Sequence, residues 1–366
     1  MQEKAFLILE DGKTFSGYSF GAPGSCFGEI VFNTGMAGYQ EIITDPSYKG
    51  QIVTLTYPLI GNYGVNPEDT ESRKVFTEGL VVKEYSKIRS NWRSSESLGD
   101  YLKRYNICAI EGVDTRAVTL HIRQAGAMMA GLFCAEDALL SKEEMLQKIK
   151  SAPGLVGRDL VKVVSITKKY TWSPKKKAKW RAVVLDCGVK YNTLRHLLNC
   201  GCEVIVVPVN TSYEEILSYK PHGLLLSNGP GDPAAVANVV ETTRMLIGRL
   251  PIFGICLGHQ MLGRAFGGKT FKLKFGHHGV NHPVKDLKSG KIAITSQNHG
   301  FCVDIDSLNK KEIELTHVNL NDQTLEGMRH KKLPIFSVQF HPEAGPGPND
   351  AAYLFDEFVG LMKKHK

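Results

Sequence analysis

Cys256, His341 and Glu343 are the residues whose types and spacing suit covalent chemistry. Cys256 sits in PIFGICLGHQ (251–260), between Gly254 and Gly258. The short apolar run before it reads as a buried strand, and LGHQMLGRAF after it reads as a helix. A G-x-C-x-G sequence at such a junction is the thiol form of the nucleophile elbow, where a sharp turn pushes a reactive side chain above the sheet. A Cβ on either flank would crowd that turn, which gives both glycines a physical reason. A thiol at a helix N-terminus also feels the positive end of the helix dipole, which favours the thiolate nucleophile.

A thiol nucleophile needs a base, and the base needs an orienting group. VQFHPE offers both. His341 and Glu343 are two apart in an extended segment, so their side chains emerge on the same side. Pro342 keeps His341 out of helical geometry. Glu343 would then hold one imidazole nitrogen while the other faces the thiol. His259 and His299 stand as rival bases. The oxyanion of an acyl-transfer intermediate needs backbone N–H donors. Leu257, the residue after the thiol, offers one, and the glycine-rich SNGPGDP (227–233) offers a second at the end of another predicted strand.

Two motifs point elsewhere and are set aside. Gly263 to Thr270 fits G-x-x-x-x-G-K-[ST], but a phosphate loop needs a strand before it and a helix after it. Here the order is reversed. GHHGVNHP brings His277, His278 and His282 together without helical H-x-x-x-H spacing or a nearby Cys or acid, so no metal site is expected there.

The elements that must position this chemistry lie after residue 180. RAVVLDC, EVIVVPV, GLLLSN, PIFGIC and PIFSVQFH read as short strands, alternating with helical stretches such as YNTLRHLLNC and AAVANVVETTRMLIGRL. In the latter, Val236, Val239, Val240, Thr243, Leu246, Ile247 and Leu250 mark one helical face. Apolar strands alternating with amphipathic helices predict an α/β fold with a doubly wound, largely parallel sheet. Ligands of such sheets bind beyond the C-terminal strand ends, where Cys256 and His341 both fall. A final helix is expected from about Asp350 to Lys364.

The first part of the chain reads as a mixed α+β domain. Residues 4–20 alternate around Asp11-Gly12 as a hairpin. Helices are expected at Leu98 to Tyr105, at 114–126 with Asp114 as N-cap, and after the capping box Ser141/Glu144. The expected organisation is an N-terminal domain over 1–165, a basic linker over 166–180 and a second domain over 181–366.

Composition bounds the rest. With 366 residues, two domains are expected. The opening MQEKAFLILEDG lacks a secretory signal pattern, and no apolar run approaches the ~20 residues that span a bilayer. Eight scattered cysteines form no CxxC pair, which predicts a reduced, cytoplasmic protein. The net charge of +8 owes much to 168–181, which carries seven Lys or Arg and no acid. Such a run reads as a solvated segment, and no nucleic-acid motif accompanies it, so neither nucleic acid nor membrane is an expected partner.

GICLGHQ with a downstream HPE resembles the triad region of class I glutamine amidotransferases. GEIVFNTGMAGYQEIITDPSYKGQIVTLTYPLIGNYG (28–64), EGVDTR and SNGPGDP are similar to the family of small, glutamine-hydrolysing subunits of carbamoyl phosphate synthetase. The resemblance covers nearly the whole chain; the basic segment 168–181 carries none of it. It implies that Cys256 attacks the glutamine side-chain amide to give a γ-glutamyl thioester and ammonia, with His341 as base and then acid, oriented by Glu343. It implies L-glutamine binding at Ser47, Gly229, Gly231, Leu257, Gln260, Asn298, Gly300 and Phe301, with Gly229 and Leu257 as oxyanion donors. Ser47 would bring the N-terminal domain to the glutamine site. The resemblance further implies a large synthetase subunit as partner, which uses bicarbonate and receives ammonia through a tunnel. ATP and Mg are expected on that subunit, with no cofactor or metal on this chain. An amidotransferase subunit feeding anthranilate or guanylate synthesis would not need the first 150 residues. A non-catalytic scaffold would not need an intact triad.

Overall fold

The computed structural model describes residues 3–365; Met1 and Gln2 of the opening stretch lie outside the described residues. The chain divides into two compact units. One runs to Val156 and includes Lys274–Gly279; the other comprises Gly157–Leu273 and Val280 onward. The division thus precedes the expected 165, and a short piece of the later sequence joins the first unit.

In the N-terminal unit the alternating apolar runs close into a seven-stranded barrel. Its neighbours run in the order Lys4–Leu9, Thr14–Ser19, Cys108–Glu111, Gly79–Val81, Gln51–Leu55, Gly24–Asn33 and Met129–Cys134. The first pair is the expected hairpin, with Ile8 opposite Thr14 and Gly12 taking the positive φ the turn demands. Leu7, Ile30, Ile52, Ile110 and Leu132 are fully buried together in one core. Helix Thr115–Ala125 starts on Asp114, whose carboxylate accepts from the Ala117 N–H at 2.9 Å. Helix Lys142–Ser151 opens with the reciprocal Ser141–Glu144 capping box.

The second unit is built on a ten-stranded sheet. At its centre, Cys202–Pro208, Trp180–Asp186, Gly223–Leu226, Ile252–Ile255 and Ile335–Val338 lie side by side and parallel. Leu325–His330 and Ile313–Asn319 extend it antiparallel, followed in order by Thr270–Asp286 and Ile292–Val303. Because strand side chains alternate between faces, Val183 and Leu185 pack on one side and Ala182 and Val184 on the other. The first face is covered by Val239, Leu246, Met261 and Leu262 from helices Ala237–Leu246 and Leu257–Ala265. The second is covered by Leu194, Leu197, Phe355 and Phe358 from helices Tyr191–Asn199 and Tyr353–Lys364. No described helix is long and apolar enough to cross a membrane.

Local differences from the sequence reading have simple causes. The basic segment is not wholly a linker, because Tyr170–Trp172 adds an antiparallel edge strand to Cys202–Pro208. The helix of 237–246 stops before Ile247, although Leu250 beyond it is still buried. His277, His278 and His282 lie in strand Thr270–Asp286. The Gly263–Thr270 stretch closes a helix C-terminus, with the Gly268 N–H donating to the Gly263 carbonyl. That is the negative end of a helix dipole, the wrong end for phosphate.

Candidate active site

Cys256 joins strand Ile252–Ile255 to helix Leu257–Ala265 with φ 53° and ψ −105°, a conformation that L side chains rarely adopt. The surroundings hold it there. Its N–H donates to the Val338 carbonyl at 2.9 Å, and its own carbonyl accepts from the Gln260 N–H at 3.1 Å. The flanking glycines are steric necessities. A Cβ on Gly254 would stand 2.7 Å from the Gly258 carbonyl oxygen, and one on Gly258 would stand 2.1 Å from that of Leu226. The buried thiol donates to the Asn298 carbonyl at 3.6 Å.

Strand Ile335–Val338 leads into the base. The His341 N–H donates to the Ser296 carbonyl at 2.9 Å, which fixes the backbone just before Pro342. His341 Nδ1 then donates to Glu343 Oε1 at 2.7 Å, with both side chains buried. This leaves Nε2 without a hydrogen bond among the described residues. Burial alone would lower the His341 pKa, but the Glu343 carboxylate and the neighbouring Cys256 raise it overall. Burial would likewise raise Glu343; Lys190 and His341 outweigh it and hold the carboxyl well below its ordinary value.

The sequence alone does not single out Lys190. Its Nζ lies 3.0 Å from Glu343 Oε1 in a fully buried ion pair and also donates to the Ala344 carbonyl. The loop carrying it is tied down by Asp186, whose Oδ1 accepts from the N–H groups of Gly188 (3.0 Å) and Val189 (2.8 Å). Asn192 Nδ2 donates to the Glu343 carbonyl. A signal existed: an acid and a lysine directly after an apolar strand stand where α/β sheets place their ligands.

The rival bases are otherwise engaged. His259 is fully buried, with Nδ1 2.9 Å from Ser337 Oγ, and desolvation pushes its pKa down to about 3. Both ring nitrogens of His299 face other partners, Gln297 and the Phe301 carbonyl.

The remaining positions of the second unit gather around the elbow. A Cβ on Gly229 would meet the Cys187 carbonyl oxygen at 2.1 Å and Leu257 Cδ2 at 2.9 Å, so its loop lies against the start of the nucleophile helix. The Gly258 N–H donates to the Ser227 carbonyl at 3.1 Å and fastens the two. As the first helical residue, Leu257 has an N–H with no intrahelical acceptor. Gly231 has φ +87°, and beside it the Asp232 carboxylate accepts from the Gly157 N–H at 3.0 Å. Gln260 Nε2 donates to the Phe301 carbonyl at 2.8 Å and to Gln339 Oε1 at 3.0 Å. Asn298, Gly300 and Phe301 lie on strand Ile292–Val303, and there is open space where a Gly300 Cβ would be. Ser47 belongs to the N-terminal unit, in the buried turn Pro46–Tyr48, where its N–H donates to Asp45 Oδ1 at 2.8 Å. A strained thiol, an oriented imidazole and adjacent N–H donors are the parts required for acyl transfer through a thioester.

Comparison with known proteins agrees in both units. Residues 183–361 match the family model described as glutamine amidotransferase class-I, and residues 7–132 match that of the carbamoyl-phosphate synthase small chain, CPSase domain. The carbamoyl phosphate synthase small chain of Thermosynechococcus vestitus is 52% identical, over 100% of this chain and 98% of the relative. That of Syntrophotalea carbinolica is 51% identical over 99% of each chain, and that of Thermus thermophilus 52% identical over 98% of this chain and 93% of the relative. The chain belongs to the carbamoyl phosphate synthase small chain family.

Proposed function

We propose that the chain hydrolyses L-glutamine to glutamate and ammonia at Cys256, and that it delivers the ammonia to a large synthetase subunit making carbamoyl phosphate. The observation that carries this reading is the 2.7 Å bond from His341 Nδ1 to Glu343, which turns Nε2 into the free nitrogen of a base. His341 takes the thiol proton as Cys256 Sγ attacks the γ-carbonyl carbon of glutamine. The N–H groups of Leu257 and Gly229 receive the oxyanion. Collapse breaks the C–N bond; His341 returns the proton to the leaving nitrogen, and a γ-glutamyl thioester remains. Water, deprotonated by His341, attacks the thioester; glutamate leaves and the thiol is restored.

Gly231, Gln260, Asn298, Gly300 and Phe301 complete the glutamine site in this reading. The chain carries no cofactor of its own, and ATP, Mg and bicarbonate belong to the large subunit. Ammonia in water near neutral pH is mostly protonated and no longer nucleophilic, so direct hand-over preserves it. Docking of the large subunit then favours glutaminase competence, a coupling free energy between the two.

The test mixes this chain with a large subunit, ATP, Mg and bicarbonate and measures carbamoyl phosphate from glutamine or ammonium. Glutamine is expected to serve only when this chain is present, and ammonium to serve without it. Glutamine hydrolysis without carbamoyl phosphate would leave the amidase and overturn the partner.

A further inference from the structure

Behind the strand that carries Asn298, Gly300 and Phe301 lies a buried polar relay that the reaction itself does not use. His299 Nδ1 is 2.8 Å from the Phe301 carbonyl oxygen, and Nε2 is 2.9 Å from Gln297 Oε1. A carbonyl and an amide oxygen only accept hydrogen bonds, so each ring nitrogen must bring a proton. The usual escape is to turn the Gln297 amide over. Here that is closed, because Gln297 Nε2 donates to Glu326 Oε2 at 3.0 Å and to Thr295 Oγ1 at 3.2 Å. A flip would set the amide oxygen against a carboxylate. Glu326 is tied from its far side as well. Its Oε1 accepts from Asn319 Nδ2 at 2.9 Å, and Asn319 cannot flip because its Oδ1 accepts from the Asn321 N–H at 2.9 Å. Glu326, Gln297, Asn319 and His299 are all buried.

We infer that His299 is held as a doubly protonated imidazolium, balanced by the Glu326 carboxylate across the Gln297 amide, and that Glu326 is thereby a positioning residue for the strand that binds substrate. The link to that strand is the Phe301 carbonyl, which also accepts from Gln260 on the nucleophile helix. A neutral ring lacking the Nδ1 proton would set two acceptors against each other at Phe301 and loosen that junction. The consequence for substrate rests on the amidase reading; the protonation state does not.

The test uses the full chain with 15N-labelled histidine at pH about 8, where an ordinary imidazole of pKa about 6.5 is neutral. The His299 signals are identified by their loss in His299→Asn. Both His299 nitrogens are expected in the protonated range. In Glu326→Gln, an amide that donates towards Gln297 turns the Gln297 amide over; Gln297 then donates to Nε2, so one bare nitrogen should appear. The double variant Glu326→Gln/Gln297→Glu moves the carboxylate beside His299 and should restore the two-proton spectrum. With glutamine as substrate, Glu326→Gln should raise KM about tenfold with kcat within about twofold, and the double variant should recover KM. A neutral His299 in the unmodified chain, or an imidazolium that survives Glu326→Gln, would overturn the inference. If no variant, nor the unmodified chain, hydrolyses glutamine even with a large subunit present, the amidase reading falls while the spectra still decide the protonation state.

Discussion

Nδ1 of His341 stands 2.7 Å from Oε1 of Glu343, two residues along the same extended segment. The same oxygen meets Nζ of Lys190 at 3.0 Å, so the orienting carboxylate lies between two cationic or ionisable groups, all buried. That arrangement fixes the imidazole tautomer and lets a buried carboxylate stay ionised.

Cys256→Ala removes the proposed nucleophile without touching the backbone. Glutamine-dependent synthesis by the complex is expected to disappear, while ammonium-dependent synthesis continues unchanged. Paired assays with the two nitrogen donors check this; loss of both would show that the substitution disrupts assembly instead.

Glu343→Gln keeps the shape and removes the charge. Glutaminase kcat should fall roughly 10²-fold or more, less than for Cys256→Ala, since an orienting carboxylate contributes less than the nucleophile. Because Glu343 is a principal cause of the raised His341 pKa, the His341 titration should move to lower pH. Ring-proton NMR across pH reads this directly. The unmodified chain also carries a sign for stability. With its pKa depressed, Glu343 stabilises the fold fully above the ordinary carboxylate value of 4.5, and that contribution is lost as pH falls towards the folded value. Denaturant midpoints of the variant and the unmodified chain should therefore converge at acid pH.

Lys190→Met leaves Glu343 buried without its lysine. Removing one partner of a buried pair costs about 3–5 kcal/mol, which a urea titration would register as a lower midpoint at constant m. Lys190 also opposes protonation of His341, so its loss should move the His341 titration further upward. An unchanged midpoint would mean that Lys190 contributes no net stability.

Two substitutions separate strain from packing at the elbow. Gly258→Ala drives a methyl to 2.1 Å from a backbone oxygen, which cannot swing aside; a loss of about 3 kcal/mol or outright failure to fold is expected. Cys256→Gly relieves the positive φ, a strain of about 1–3 kcal/mol, and against the entropy cost of glycine it should come out about 1 kcal/mol more stable than Cys256→Ala. Thermal denaturation of the three inactive or impaired chains orders them.

Much of this site was legible in the residues because its chemistry is local. Gly254, Cys256 and Gly258 specify a strand-to-helix turn within five positions, and His341-Pro342-Glu343 specifies an oriented side-chain pair within three. Short apolar runs and helical patterns likewise marked the strands and helices of the second unit. Those signals depend only on near neighbours in the chain. The partners that lie far apart in sequence were not legible. Nothing in the stretch DCGVK says that Lys190 will reach Glu343, and nothing in SQNHG or LEG pairs Gln297 with Glu326. Those contacts exist because the sheet order places Trp180–Asp186, Ile252–Ile255 and Ile335–Val338 so that their ends converge, and because Leu325–His330 turns back antiparallel beside them. The sequence by itself determined which groups could react and how each is aimed locally. Only the tertiary structure decided which buried charges balance one another, because a carboxylate in a low-dielectric interior takes its protonation state from whichever groups the fold brings within hydrogen-bonding distance.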